Sequence, residues 1–262
     1  MIRRIKSKNA KHSRRKTVKM VNNKVIKHFE ERRDYYSKIE GFDNPYDKTI
    51  VNFICNHCSD NSKILEIGGG SGYLLSMIYN LSNGKCKDLY NVELSWRVYK
   101  EQKSKSIQLI GGDGRHLPFK DDIFDFVLMK NLLHHLVGES RKQSKMFVKM
   151  CIDEAIRTSK NGGYIIILEQ YNRSRICADV LFFITTFFSI FGLEVKSFGI
   201  HKHVIVSFLT PEEVINFLTE NNNVKVILKT QRRIMVPLKL RLTLLMSNIG
   251  HILCIGKVHK NH

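Results

Sequence analysis

The chain has 262 residues with only four prolines and one tryptophan, and no apolar run long enough to cross a bilayer. Even Val180–Phe191 falls short of the ~20 apolar residues that a spanning helix requires. No Pro/Gly/Ser-rich stretch interrupts the middle, which predicts one domain rather than two. The basic start is not followed by an apolar segment, so a cytoplasmic rather than secreted protein is expected. It also lacks the amphipathic apolar face of an organellar transit peptide. Cysteine is sparse and scattered at positions 55, 58, 86, 151, 177 and 254, the pattern expected of a reduced intracellular protein. Cys55 and Cys58 have CxxC spacing, but no second pair completes a zinc set. No metal is expected, and packing of a helix over Tyr46–Cys58 accounts for the pair.

Acidic residues are missing where basic ones abound. The net charge is +19, and the first 20 residues carry nine Lys/Arg and no Asp/Glu. Such a segment self-repels and has little to bury, so residues 1–20 are expected to form a disordered arm before a domain over 21–262. The arm is either a solubilising tail or a contact for an anionic partner, nucleic acid or a membrane surface.

From residue 63 onward, strand and helix patterns alternate, which predicts an α/β fold with a mostly parallel sheet. Strands are expected at Lys63–Ile67, Leu89–Leu94, Ile107–Ile110, Phe124–Met129, Tyr164–Leu168, Val224–Leu228 and His251–Lys257. Ser95 can cap a helix running to about Lys103. A helix over 141–159 is expected to stop at Asn161-Gly162. Thr210-Pro211-Glu212-Glu213 combines a cap, a proline at the first helical position and a capping box. Two stretches, 169–209 and 231–250, exceed the usual connection of ~2–6 residues and read as insertions.

The densest chemistry begins at Ile64-Leu65-Glu66-Ile67-Gly68-Gly69-Gly70-Ser71-Gly72. A buried strand runs into a glycine turn that opens a helix, which brings a nucleotide-like ligand against bare backbone. The spacing is G-x-G-x-G, not the G-x-G-x-x-G of dinucleotide sites. A carboxylate at Glu66 suits a cationic ligand group better than a pyrophosphate. Glu93 ends the second strand, where its two oxygens can accept both hydroxyls of a ribose. Gly112-Asp113-Gly114 follows the third strand. There Asp113 can accept from an exocyclic amine while the Gly114 amide donates to a ring nitrogen. Lys130-Asn131-Leu132-Leu133-His134-His135 follows the fourth. All lie at carboxyl ends of strands, where open α/β sheets bind ligands.

Together these segments resemble the class I S-adenosylmethionine-dependent methyltransferases. The likeness is greatest to the small-molecule branch with a type 11 methyltransferase domain that includes the ubiquinone and menaquinone enzymes. It is carried by Leu65–Gly72, Val92–Ser95, Gly112–Phe119, Phe124–Val127, Leu133–Leu136 and Lys160–Tyr164, in order across about residues 60–170. Asn161 stands where that family usually has proline. The resemblance implies a Rossmann-like seven-stranded sheet of order 3-2-1-4-5-7-6, with the last strand antiparallel and helices on both faces. It implies S-adenosyl-L-methionine as cofactor and S-adenosyl-L-homocysteine as product. Glu66, Gly68, Gly69, Gly70 and Gly72 would hold the methionine part, Glu93 the ribose and Leu94 the adenine face. Asp113 and Gly114 would read the adenine edge.

On the acceptor side, His134 or His135 can act as a base for a hydroxyl acceptor, or the pair is simply a helix start. Asn131 is a candidate for positioning. Tyr35, Tyr36 and Tyr46 either fold over the cofactor or pack in the core. Residues 180–191 hold five phenylalanines, and Phe183, Ile184, Phe187, Phe188 and Phe191 follow helical spacing. That segment is an apolar lid over the acceptor, a membrane-docking face working with the basic arm, or extra core. The second insertion places Leu238, Leu242, Leu245 and Ile249 on one helical face beside Lys239 and Arg241. A small apolar or lipid-like acceptor is the primary expectation. RNA is the rival acceptor, disfavoured because the basic residues cluster in the arm and the insertion lacks interleaved Arg and Lys. A non-catalytic cofactor-binding protein is the third reading.

Overall fold

Glu66 is 2% exposed in an interior strand of a sheet whose two faces are both covered. A computed structural model of the protein describes residues 45–95, 106–195, 200, 204–235 and 248–260. In the described residues, α1 (Pro45–His57) precedes β1 (Lys63–Ile67), α2 (Tyr73–Leu81), β2 (Asp88–Glu93), β3 (Ile107–Gly111) and β4 (Phe124–Lys130). A short 3₁₀ turn, Leu133–His135, leads to α3 (Arg141–Thr158), β5 (Ser159–Asn172) and α4 (Arg175–Phe191). The chain closes with α5 (Pro211–Thr219), β6 (Val224–Arg233) and β7 (Ile249–Val258).

The seven strands form one sheet of order β3-β2-β1-β4-β5-β7-β6. β7 runs antiparallel to both neighbours, and the pairings among β1 to β5 are parallel. This is the Rossmann-like order that the family resemblance implies. Alternation along each strand divides the core into two layers. Leu65, Ile67 and Val127 pack against Val148, Ile152 and Ala155 of α3 and Val214 of α5. Ile64, Phe126 and Leu128 pack against Ile50 and Ile54 of α1 and Leu75 and Ile78 of α2. Each such side chain stabilises the fold by ~1.5–3 kcal/mol. Glu66 shares the parity of Ile64, so it points to the α1/α2 side.

Local signals explain the helix ends. Ser140 caps α3 by accepting from the Gln143 amide, and Ser174 caps α4 by accepting from the Cys177 amide. Thr210 and Glu213 form the capping box expected at α5. Gly192 ends α4 in the left-handed region, at φ 64°.

The structure also departs from expectation. α3 ends at Thr158, and β5 begins at Ser159 rather than Tyr164. Asn161-Gly162 therefore lies inside a strand start, not a helix stop. A register shift opposite Phe124 and Phe126 absorbs the extra residues. β6 and β7 extend to Arg233 and back to Ile249, so the ends of the second insertion pair as sheet. Its residues Leu238, Lys239, Arg241, Leu242 and Leu245 lie outside the described residues. So do the arm, Tyr35, Tyr36 and the helix expected from Ser95 to Lys103.

Cysteine pairing is a further correction. Cys58 and Cys86 form a disulfide, with Cα atoms 6.7 Å apart, where reduced thiols were expected. Both side chains are buried in the layer under α1 and α2. Packing of that layer, not CxxC spacing, brings them together, and Cys55 stays free.

Candidate active site

The glycine turn is shaped by the neighbouring strand. Asn91 and Glu93 lie two apart on β2, so both face the turn. Asn91 Oδ1 accepts from the Gly69 amide at 3.2 Å, and its Nδ2 donates to the Gly70 carbonyl at 3.0 Å. Glu93 Oε2 accepts from the Gly70 amide at 3.2 Å, while Oε1 accepts from the Ser95 amide at 3.0 Å. The Gly68 amide donates to the Val92 carbonyl at 2.7 Å. Asn91 was missed by sequence reading. Its signal was a polar side chain at a buried strand position, two residues before Glu93.

Two of these glycines are obligatory. Gly68 sits at φ +70°, and an added Cβ would lie 2.7 Å from Leu132 Cδ1. A Cβ on Gly69 would lie 2.6 Å from Glu66 Oε2 and 2.7 Å from Asn91 Oδ1. The turn is thus a backbone cradle with a buried carboxylate against it. α2 begins at Gly72 without a side-chain cap, which leaves its first-turn amides directed at the turn. A buried carboxylate beside an uncapped helix start suits a ligand carrying both an ammonium and a carboxylate.

The Asp113 loop meets the end of β1, because a Cβ on Gly114 would lie 2.6 Å from Ile67 Cγ2. Asp113 accepts from the Arg115 amide at 3.0 Å and from Arg115 Nε at 2.9 Å. Arg115 in turn lies over the Phe147 ring, 4.3 Å from its centroid. Burial pushes the Asp113 carboxyl up, but hydrogen bonds and charge from Arg115, with His116, hold it below the usual carboxylate range. Asp113 is therefore an ionised acceptor already oriented by Arg115, a partner that sequence reading did not name. Leu94 follows β2 directly and is 38% exposed.

The segment after β4 forms the other wall. Asn131 adopts φ +51°, unusual for a non-glycine residue. Its Oδ1 is buried with no hydrogen-bond partner among the described residues. Lys130 Nζ reaches Asp47 Oδ2 of α1 at 2.7 Å. His134 is 5% exposed, and its Nδ1 lies 2.5 Å from Glu169 Oε1. Glu169 also accepts from the Leu133 amide at 2.6 Å and the Gln170 amide at 2.7 Å. Glu169 ends the buried run of β5; sequence reading passed over it as the first residue of an insertion. His135 is half-buried, with its ring 4.0 Å from that of His134. Tyr46 packs toward His251, with ring centroids 6.2 Å apart.

Residues of the first insertion cover this wall. Phe208 stacks on His134 at 5.4 Å, and the Ser207 amide donates to the His134 carbonyl at 2.9 Å. Phe182 of α4 packs with Val137 and Ile205. Arg141 fastens the insertion to α3: Nε donates to Asp179 at 2.8 Å, Nη1 to Ser207 at 2.5 Å and Nη2 to the Phe208 carbonyl at 2.7 Å.

Comparison with known proteins agrees with this architecture. A family profile described as methyltransferase domain matches residues 65–167. An uncharacterized protein of Methanocaldococcus jannaschii, MJ0638, is 31% identical over 192 residues, 66% of this chain and 75% of that protein. A second from that organism, MJ1123, is 35% identical over 39% of this chain and 42% of its own length. A tRNA (carboxymethyluridine(34)-5-O)-methyltransferase of Arabidopsis thaliana is 28% identical over 40% of this chain and 23% of its own length. The chain thus spans less than half of those last two relatives. Among solved structures, a SAM-dependent methyltransferase of Methanosarcina mazei superposes with TM-score 0.54 at 15% identity, over 80% of this chain and 98% of that one. The [4+2]-cyclase SpnF superposes with TM-score 0.58 at 10% identity, over 90% and 96%. These two likenesses concern the fold. Sequence motifs, strand order and relatives agree: the chain belongs to the class I S-adenosylmethionine-dependent methyltransferases.

Proposed function

We propose that this protein transfers a methyl group from S-adenosylmethionine to a small, apolar or lipid-like acceptor. The observation that carries the reading is the junction of two walls. A glycine cradle beside Glu66 touches the post-β4 segment through Leu132, and that segment is roofed by Phe208. When bound, the cofactor supplies an electrophilic methyl on a sulfonium. Glu66 would hold its ammonium and the α2 amides its carboxylate. Glu93 would bind the ribose and Asp113 the adenine edge, Asp113 through a carboxylate that Arg115 already orients.

The chain's own chemistry lies around His134. A carboxylate accepts only, so Glu169 fixes the tautomer with hydrogen on Nδ1 and leaves Nε2 as the proton acceptor. His134 Nε2 takes the proton of a hydroxyl acceptor, and the Asn131 side-chain amide, a donor through Nδ2, orients that hydroxyl's oxygen. Phe208 and the α4 segment exclude water, which favours an apolar acceptor over a hydrated one.

RNA as acceptor is a second reading, favoured by the Arabidopsis relative's name and by the net charge of +19. Incubation with methyl-labelled cofactor and cell extract, then separation into lipid, RNA, protein and small-molecule fractions, decides between them. Label is expected in the lipid or apolar small-molecule fraction. Label in RNA would establish the second reading. Cofactor binding without any transfer would leave a binding protein, as the cyclase with this fold shows that the fold alone does not dictate methyl transfer.

A further inference from the structure

We propose that the outer face of α4 docks on an anionic lipid bilayer. The helix is built inside out for a water-facing surface. Its inner face carries Ala178, Leu181, Phe182, Thr185 and Ser189, all buried. Thr185 Oγ1 even accepts a hydrogen bond from the Val206 amide at 3.3 Å. Its outer face carries the larger apolar groups: Ile176 is 74% exposed, Phe183 65%, Phe187 53%, Ile190 65% and Phe191 62%. These five fall on one side of the helix at helical spacing. A contiguous apolar stripe of this size marks an interaction surface, not ordinary scatter.

The helix has 17 residues, roughly 25 Å of length, and no described helix is long and apolar enough to cross a membrane. It therefore suits a position in the plane of the interface, with phenylalanines in the acyl boundary. Charge selects the partner. Asp179 is the sole acidic residue of α4 in the sequence, and Arg141 neutralises it at 2.8 Å. A basic rim stands at the helix start. Arg173 and Arg175 are exposed there, Arg175 with its Nε 3.5 Å from Glu213 Oε1, and Arg173 Nη2 donates to Gln231 of β6 at 2.9 Å, beside exposed Arg232 and Arg233. An apolar stripe flanked by guanidinium groups is complementary to acyl chains beneath anionic headgroups. A second copy of the chain, itself at +19, would be repelled at long range.

The inference stands independently of the acceptor's identity. The test is flotation of the full chain with vesicles of phosphatidylcholine alone, and with roughly 30% phosphatidylglycerol added to supply a negative surface potential. The wild type is expected to float with the anionic vesicles and to release as salt rises. Phe183→Asp with Phe187→Asp should weaken binding by roughly tenfold or more, with circular dichroism unchanged. Ile190→Ser, a milder change on the same face, should weaken it less but measurably. Arg232→Ala with Arg233→Ala should reduce the salt-sensitive part. The proposal fails if the wild type ignores anionic vesicles, or if the aspartate and serine variants float as well as it does. It also fails if light scattering shows a dimer that the same variants disperse, which would assign the face to a second copy.

Discussion

Glu169 Oε1 and His134 Nδ1 approach to 2.5 Å in the protein interior, with Glu169 1% exposed. The pair joins the end of β5 to the turn after β4 through a carboxylate that also takes two backbone amides. Its geometry is that of a base held by an orienting acid.

Glu169→Gln keeps the shape but offers His134 a neutral amide in place of a carboxylate. The imidazole is then free to adopt the other tautomer. With a hydroxyl acceptor, kcat should fall roughly 10²-fold or more, while cofactor affinity measured by calorimetry stays near wild type. The pH–rate profile should change shape. A lower Tm with an unchanged profile would reduce Glu169 to a structural strut.

Gly69→Ala should abolish cofactor binding while leaving the fold. The new methyl would meet Glu66 and Asn91 at 2.6–2.7 Å, closer than real contacts allow. Far-UV circular dichroism should match wild type, and calorimetry should detect no heat on titration with S-adenosylmethionine. Retained affinity would displace the cradle from the cofactor assignment.

Acid should destabilise the protein in two stages. Burial holds the His251 imidazole below its ordinary range, with His134 and Lys130 adding to the effect and Glu169 opposing it. The unfolded chain then takes up this proton first, so stability is present above about pH 6.5 and falls below it. Asp113 and Glu213 are both held below the carboxylate range despite burial, by Arg115 and by Lys145 and the Thr210 amide respectively. Their contribution is present above the ordinary carboxylate values and is lost below about pH 4. Urea midpoints from pH 8 to 3 should show both declines, and His251→Gln should remove the first. A wild type flat down to pH 4 would contradict the His251 assignment.

Thiol labelling of the native protein should modify Cys177 and Cys55 before Cys151 and Cys254. Burial, aided by Asp113, pushes the Cys151 thiol up to about 12, and burial raises Cys254 to about 11. Little reactive thiolate exists at either site at neutral pH. Mass spectrometry after brief alkylation, with and without prior reduction, should also show Cys58 and Cys86 protected until reduced. Early modification of Cys151 would mean that α3 opens locally.

Much of this was legible in the residues because the signals are local. A short apolar run ending in a glycine turn marks β1, and the Thr210–Glu213 box marks α5, each within a few residues. Glycines at 68, 69 and 70 announce close backbone approach before any partner is known. What escaped was long-range. Nothing near Cys58 names Cys86, and nothing near Glu169 names His134, because each pair is created by packing across 28 and 35 residues. The early start of β5 escaped as well, since pairing with β4 overrides the Asn161-Gly162 turn signal.

By itself, then, the sequence determined the order of elements and the family, because short-range propensity and motif spacing are written along the chain. Tertiary structure alone decided that Asn91 would shape the cradle and that Glu169 would hold His134. It also decided which side of α4 faces outward. Helical spacing groups its phenylalanines, but inner packing against Val206 and Phe208 sends Ala178 and Thr185 inward and leaves Phe183 and Phe187 exposed.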